Sequence, residues 1–99
     1  GAVHTSEMPY QFPGFSNTSV LDGPPLAAPQ QELSRQMVAY WSSFIHTGHP
    51  AGAGLPEWQP FDPSRQALRL KPGDVGMFDA SGAHQCPMWE RLYPQDLAR

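Results

Sequence analysis

Apolar residues recur with a helical period over one long stretch of the chain, residues 30–47. Leu33, Met37, Trp41 and Phe44 follow steps of four, four and three, so they form one stripe, and Val38, Tyr40 and Ile45 widen it. Pro29 suits the first turn of such a helix, and Gly48 with Pro50 suits its end. An aromatic stripe at this spacing packs into a core far more often than it lines a ligand site. Burying each large side chain is worth roughly 1.5 to 3 kcal/mol, so this helix demands a substantial surface to lie on.

The remaining pattern is short and interrupted. Residues 66–71 alternate polar and apolar, which predicts a strand ended by Pro72-Gly73, and residues 75–79 read as a second extended piece, giving short strands within 66–80. Residues 84–93 predict a closing helix with Cys86, Trp89 and either Leu92 or Tyr93 on one side, Glu90 and Arg91 outward, and an end near Pro94. Residues 48–65 read as a loop tacked to the body by Trp58 and Phe61, and residues 14–29 as a loop without period. At the front, residues 1–13 combine a loop with a short helical turn. Met8, Tyr10 and Phe12 supply apolar bulk, Pro9 and Pro13 limit the helix to about a turn, and Thr5 or Ser6 is placed to cap it.

Composition sharpens this picture. Of 99 residues, 9 are glycine and 12 proline, and no alternating strand series is present that would build a central sheet. The chain thus has greasy faces and little to cover them, which points to a sheet supplied by another part of a larger fold. A net charge of −3 with only 6 Lys and Arg excludes the basic footprint of a nucleic-acid binder. No apolar run approaches the roughly 20 residues of a membrane span. The single cysteine, Cys86, has no partner for an internal disulfide and reads as a buried, inert thiol. Asn17-Thr18-Ser19 matches the short N-glycosylation pattern. His46, His49 and His84 invite a metal reading, but no acidic or cysteine ligand stands at zinc-like spacing, and a histidine late in a helix favours the negative end of its dipole. No metal site is expected.

The candidate chemistry lies at the front, on His4. An imidazole exchanges protons close to neutral pH, and a loop held at its exit by an anchored turn is a good mount for a catalytic side chain. Glu7 is near in sequence, either orienting the ring or standing as a buried, hydrogen-bonded acid. No serine elbow of the form Gly-x-Ser-x-Gly occurs in the 99 residues.

The order of parts carries a resemblance. His4 stands before Glu7, Pro9, Tyr10 and Phe12. Next come Tyr40-Trp41-Ser42-Ser43-Phe44 with Thr47-Gly48-His49-Pro50, then Leu55-Pro56-Glu57-Trp58, and finally Cys86-Pro87-Met88-Trp89. From Gly1 to about Leu92 this closely resembles the C-terminal end of the type B carboxylesterases, the esterase and cholinesterase group of α/β-hydrolases. Gln11 and Pro13 depart from that pattern, at the lip of the pocket. The resemblance implies the C-terminal portion of an α/β-hydrolase fold, with a mostly parallel central sheet supplied largely by residues upstream.

It also implies that His4 is the triad histidine, acting as general base and acid. In this superfamily the chain order is serine, acid, histidine, so both partners are expected before Gly1, and the segment alone is expected to be inactive. Glu7 aligns with a family glutamate close to the site but not with the triad acid. The implied activity is carboxylic ester hydrolysis through an acyl-enzyme, with a small-molecule ester as substrate, the N-terminal remainder of the enzyme as partner and no cofactor. Two alternatives stand beside it: a catalytically inactive, cholinesterase-like binding or adhesion protein, and a small independent interaction domain.

Overall fold

The computed structural model describes residues 4–12, 14, 16 and 23–94. The expected glycosylation site at Asn17 and the departure at Pro13 lie outside them. Helix α1, Met8–Gln11, is a single turn with Pro9 near its start. Helix α2, Ala28–Thr47, runs for 20 residues and begins two residues before the periodic pattern. Its first turn is closed by Gln30, whose Oε1 accepts from the Ala27 amide at 2.9 Å. Gly48 ends it in the left-handed region at φ 74°, its amide donating to the Phe44 carbonyl at 2.8 Å. His46 sits in the last turn with Nδ1 2.7 Å from the Ser42 carbonyl oxygen, so the ring donates there.

Strands β1, Gln66–Arg69, and β2, Gly76–Asp79, pair antiparallel with Gln66 opposite Asp79 and Leu68 opposite Met77. The connection closes by a turn at residues 71–74, where the Asp74 amide donates to the Lys71 carbonyl at 2.9 Å. Pro72 presets the second position and Gly73 supplies φ 73° at the third, the requirements of a type II turn. Arg69 clasps the hairpin from the side, donating to Asp74 Oδ1 at 2.6 Å and lying 5.7 Å above the Phe78 ring.

The expected closing helix over 84–93 begins later, at Cys86, and a separate four-residue helix that the pattern did not predict precedes it. Helix α3, Ala80–Ala83, is capped by Asp79, whose carboxylate accepts from the Gly82 amide, and helix α4 spans Cys86–Leu92. Between them Gln85 adopts φ 56°. Pro87 explains why α4 starts afresh: it lies in the first turn, where a missing amide costs nothing, and without that amide it cannot donate back to Ala83 and continue the ladder from α3. Glu90 is not outward-facing: it pairs with Arg65 of the preceding loop. Cys86 is half-buried, not enclosed.

Helix α1 packs on α2, and α3 packs on both α4 and β1. The buried apolar residues among those described are Leu33, Met37, Tyr40 and Leu68. Tyr40 is wholly enclosed, and its hydroxyl donates to the Pro56 carbonyl at 2.5 Å. Trp58 closes over it edge-on at 5.4 Å, which fixes the loop as expected of Trp58, while Phe61 projects outward at 73% exposure. The stripe on α2 is therefore buried only along its first half. Phe44 lies within roughly 20° of Met37 around the helix yet is 56% exposed, so it faces the core side with nothing over it.

Candidate active-site histidine and its support

His4 is exposed at the start of a run of turns that leads into α1. Thr5, the next residue, has φ 65°. That left-handed region is a true outlier for a β-branched side chain and costs energy that the surroundings must offset. The Thr5 hydroxyl donates back to the His4 carbonyl at 2.6 Å. It is thus used before the helix starts, which is why it does not cap α1. Glu7 holds the cap position and makes no side-chain cap bond, so the expected Thr5 or Ser6 cap is absent. Glu7 is exposed, contrary to the expectation of a buried acid, and no hydrogen bond or ion pair joins its carboxylate to the His4 ring.

From His4 onward the backbone is bonded turn by turn. The Met8 amide donates to the Thr5 carbonyl at 3.1 Å, the Tyr10 and Gln11 amides to the Glu7 carbonyl at 3.0 and 3.1 Å, and the Phe12 amide to the Met8 carbonyl at 2.9 Å. A helix this short cannot hold itself in water. It is held by α2: the Ser34 hydroxyl donates to the Tyr10 carbonyl at 2.5 Å, and the Gln30 side-chain amide donates to the Tyr10 hydroxyl at 3.1 Å. Ser34 is buried beside Leu33 and Met37. Neither Ser34 nor Gln30 was singled out by the sequence pattern. The signal was present all the same: on a helical wheel Ser34 falls at the edge of the apolar stripe, where a hydroxyl needs a partner.

The other candidates are scattered. Among the described residues no three His, Cys, Asp or Glu side chains gather as metal ligands would. His84 and Cys86 line an open, mainly apolar hollow of about 690 Å³ with Phe61, Arg65, Trp89 and Tyr93. No residue of α1 or of the turns before it borders that hollow. No helix among the described residues is long and apolar enough to cross a membrane.

Comparison with known proteins bears on this arrangement. A model of the family described as the carboxylesterase family matches residues 1–89. The chain belongs to the carboxylesterase family. Among curated relatives, it is 35% identical over 98 residues to human cocaine esterase and 34% identical over 98 residues to mouse acylcarnitine hydrolase, in each case across 97% of the chain. It is also 39% identical over 70 residues to chicken acetylcholinesterase, covering 67% of the chain and 9% of that relative. The chain spans 16% of the length of the first two. The carboxylesterase family has the α/β-hydrolase fold, of which this segment contributes helices and a two-stranded sheet.

Proposed function

We propose that the protein carrying this segment is a serine carboxylic ester hydrolase and that His4 is the histidine of its catalytic triad. Family membership supports the reaction class, and relatives named as an esterase and a hydrolase support it further. The observation that carries the assignment of His4 is local: an exposed imidazole precedes a strained Thr5 and a turn tied by two side chains to the longest helix. Strain of this kind collects at functional positions.

In this reading the nucleophilic serine and the triad acid lie in the upstream part of the protein, together with the main parallel sheet. The imidazole takes the serine proton as the oxygen attacks the ester carbonyl, and it returns that proton to the departing alcohol. A water molecule then gives its proton to the same ring and releases the acid, restoring the serine. Exposure of the ring on this segment fits a side chain that must meet partners from elsewhere in the fold.

The test is hydrolysis of a short aryl ester by the full-length protein. His4→Ala is expected to remove nearly all turnover, a loss of at least a thousandfold. A variant that keeps substantial activity removes His4 from the mechanism. An upstream elbow carrying glycine or alanine in place of serine, with no turnover in the parent, establishes the non-catalytic binding protein instead.

A further inference from the structure

We propose that Ser34 is a positioning residue for His4, acting through the Tyr10 carbonyl, with Gln30 and the Tyr10 hydroxyl as a second tie. The inference rests on His4 being the proton-transfer histidine. Its ground is a path of bonds that runs without a gap from the long helix to that residue. Ser34 donates to the carbonyl of Tyr10. The Tyr10 amide donates to the Glu7 carbonyl, the Met8 amide to the Thr5 carbonyl, and the Thr5 hydroxyl to the His4 carbonyl.

Three features argue that the link does more than fill space. A buried serine gives up water that an alanine would not need, so its hydroxyl requires a bonded partner. Its acceptor is one of the carbonyls that a helix end leaves without an internal partner, and α1 has only 4 residues, so an outside donor matters more there than in a long helix. The second tie converges on the same residue: the Gln30 amide reaches the Tyr10 hydroxyl, while its carbonyl oxygen closes the first turn of α2. Tyr10 is thereby held at both its backbone and its ring. The turn before α1 includes Thr5 at φ 65°, a conformation that relaxes unless its exit is fixed.

Displacement of a catalytic ring by about 1 Å costs up to a hundredfold in rate. In the full-length protein, Ser34→Ala is therefore expected to lower kcat on a short aryl ester roughly ten- to hundredfold, with KM little changed and the fold intact at the assay temperature. Ser34→Thr, which keeps the hydroxyl, is expected to recover most of kcat. Tyr10→Phe removes only the second tie and is expected to lower kcat less than Ser34→Ala does. Should Ser34→Ala fail to fold, Tyr10→Phe and Gln30→Ala carry the test.

A folded Ser34→Ala with reduced melting temperature and unchanged kcat overturns the proposal, since it shows a purely structural bond. Where Ser34→Ala does not fold, an unchanged kcat in both Tyr10→Phe and Gln30→Ala overturns it likewise. His4→Ala, run alongside, separates the two readings. An inactive His4→Ala with a fully active Ser34→Ala removes the positioning role alone, whereas an active His4→Ala removes the histidine assignment and the positioning role with it.

Discussion

At the scale of single residues, charge on this chain is arranged at its surface. Glu32 accepts from Arg35 Nε at 2.9 Å and Nη2 at 2.6 Å, and from the Gln36 amide at 2.8 Å. These bonds, led by the Arg35 guanidinium, hold the Glu32 carboxyl down to about 2 from 4.5. Because the folded-state value is lowered, any stabilisation is present above the ordinary carboxylate range and is lost as pH falls toward 2. Glu32 is expected to titrate near that lower value when followed by NMR, and Arg35→Ala is expected to return its midpoint toward the ordinary one. An unchanged midpoint in that variant contradicts the pair as the cause. Residue scale is also where the site was hardest to read. The candidate His4 came from its place in the family pattern, whereas the bond from Ser34 was hidden because a lone hydroxyl beside apolar positions has no periodic signature of its own.

At the scale of elements, α2 was legible because 20 residues give the helical period room to repeat, and its end was marked by a glycine with a stated geometric task. The closing helix was over-read at its start by two residues, and the four-residue helix before it was missed. Its apolar spacing begins at Cys86, and Gln85 stays outside in a left-handed conformation because Pro87 suits only the first turn of a helix. The hairpin turn could be read from Pro72-Gly73, whereas the pairing of its strands depends on Leu68 finding a buried place. Gly48 offers a clean test of an element boundary. A Cβ there meets nothing within 4 Å, so Gly48→Ala has only the left-handed backbone to contend with. The expected loss is about 1 kcal/mol, measured by chemical denaturation of the full-length protein, and Gly48→Asn is expected to lose less.

At the scale of the whole molecule, the chain is open for its length. Its radius of gyration is 16.3 Å, against about 13 Å for a compact chain of 100 residues. Its accessible surface is 7495 Å², where a compact monomer of this mass exposes about 5600 Å². The surplus is partly aromatic: Phe44, Phe61, Trp89 and Tyr93 are each about half exposed or more. The exposure of Phe44 was foreseeable from an apolar stripe with no strand series to cover it, whereas Phe61 was expected to anchor its loop and does not. Which half of the stripe stays bare was not foreseeable, because it depends on where α1 and the loop after α2 come to rest. Produced alone, the 99 residues are expected to bind a hydrophobic dye strongly and to melt without a sharp transition. A single cooperative melt with no dye binding supports an independent domain instead.

The closure of residues 48–58 onto α2 brings two indoles and a phenol together. Trp58 lies 5.6 Å from the Trp41 ring and 5.4 Å from Tyr40. Chromophores at that separation share their excited states, so the cluster gives the segment an optical signature of its own. Near-ultraviolet circular dichroism at this cluster reads directly whether the loop is shut. The segment thus carries a built-in gauge of its own docking, visible without any label.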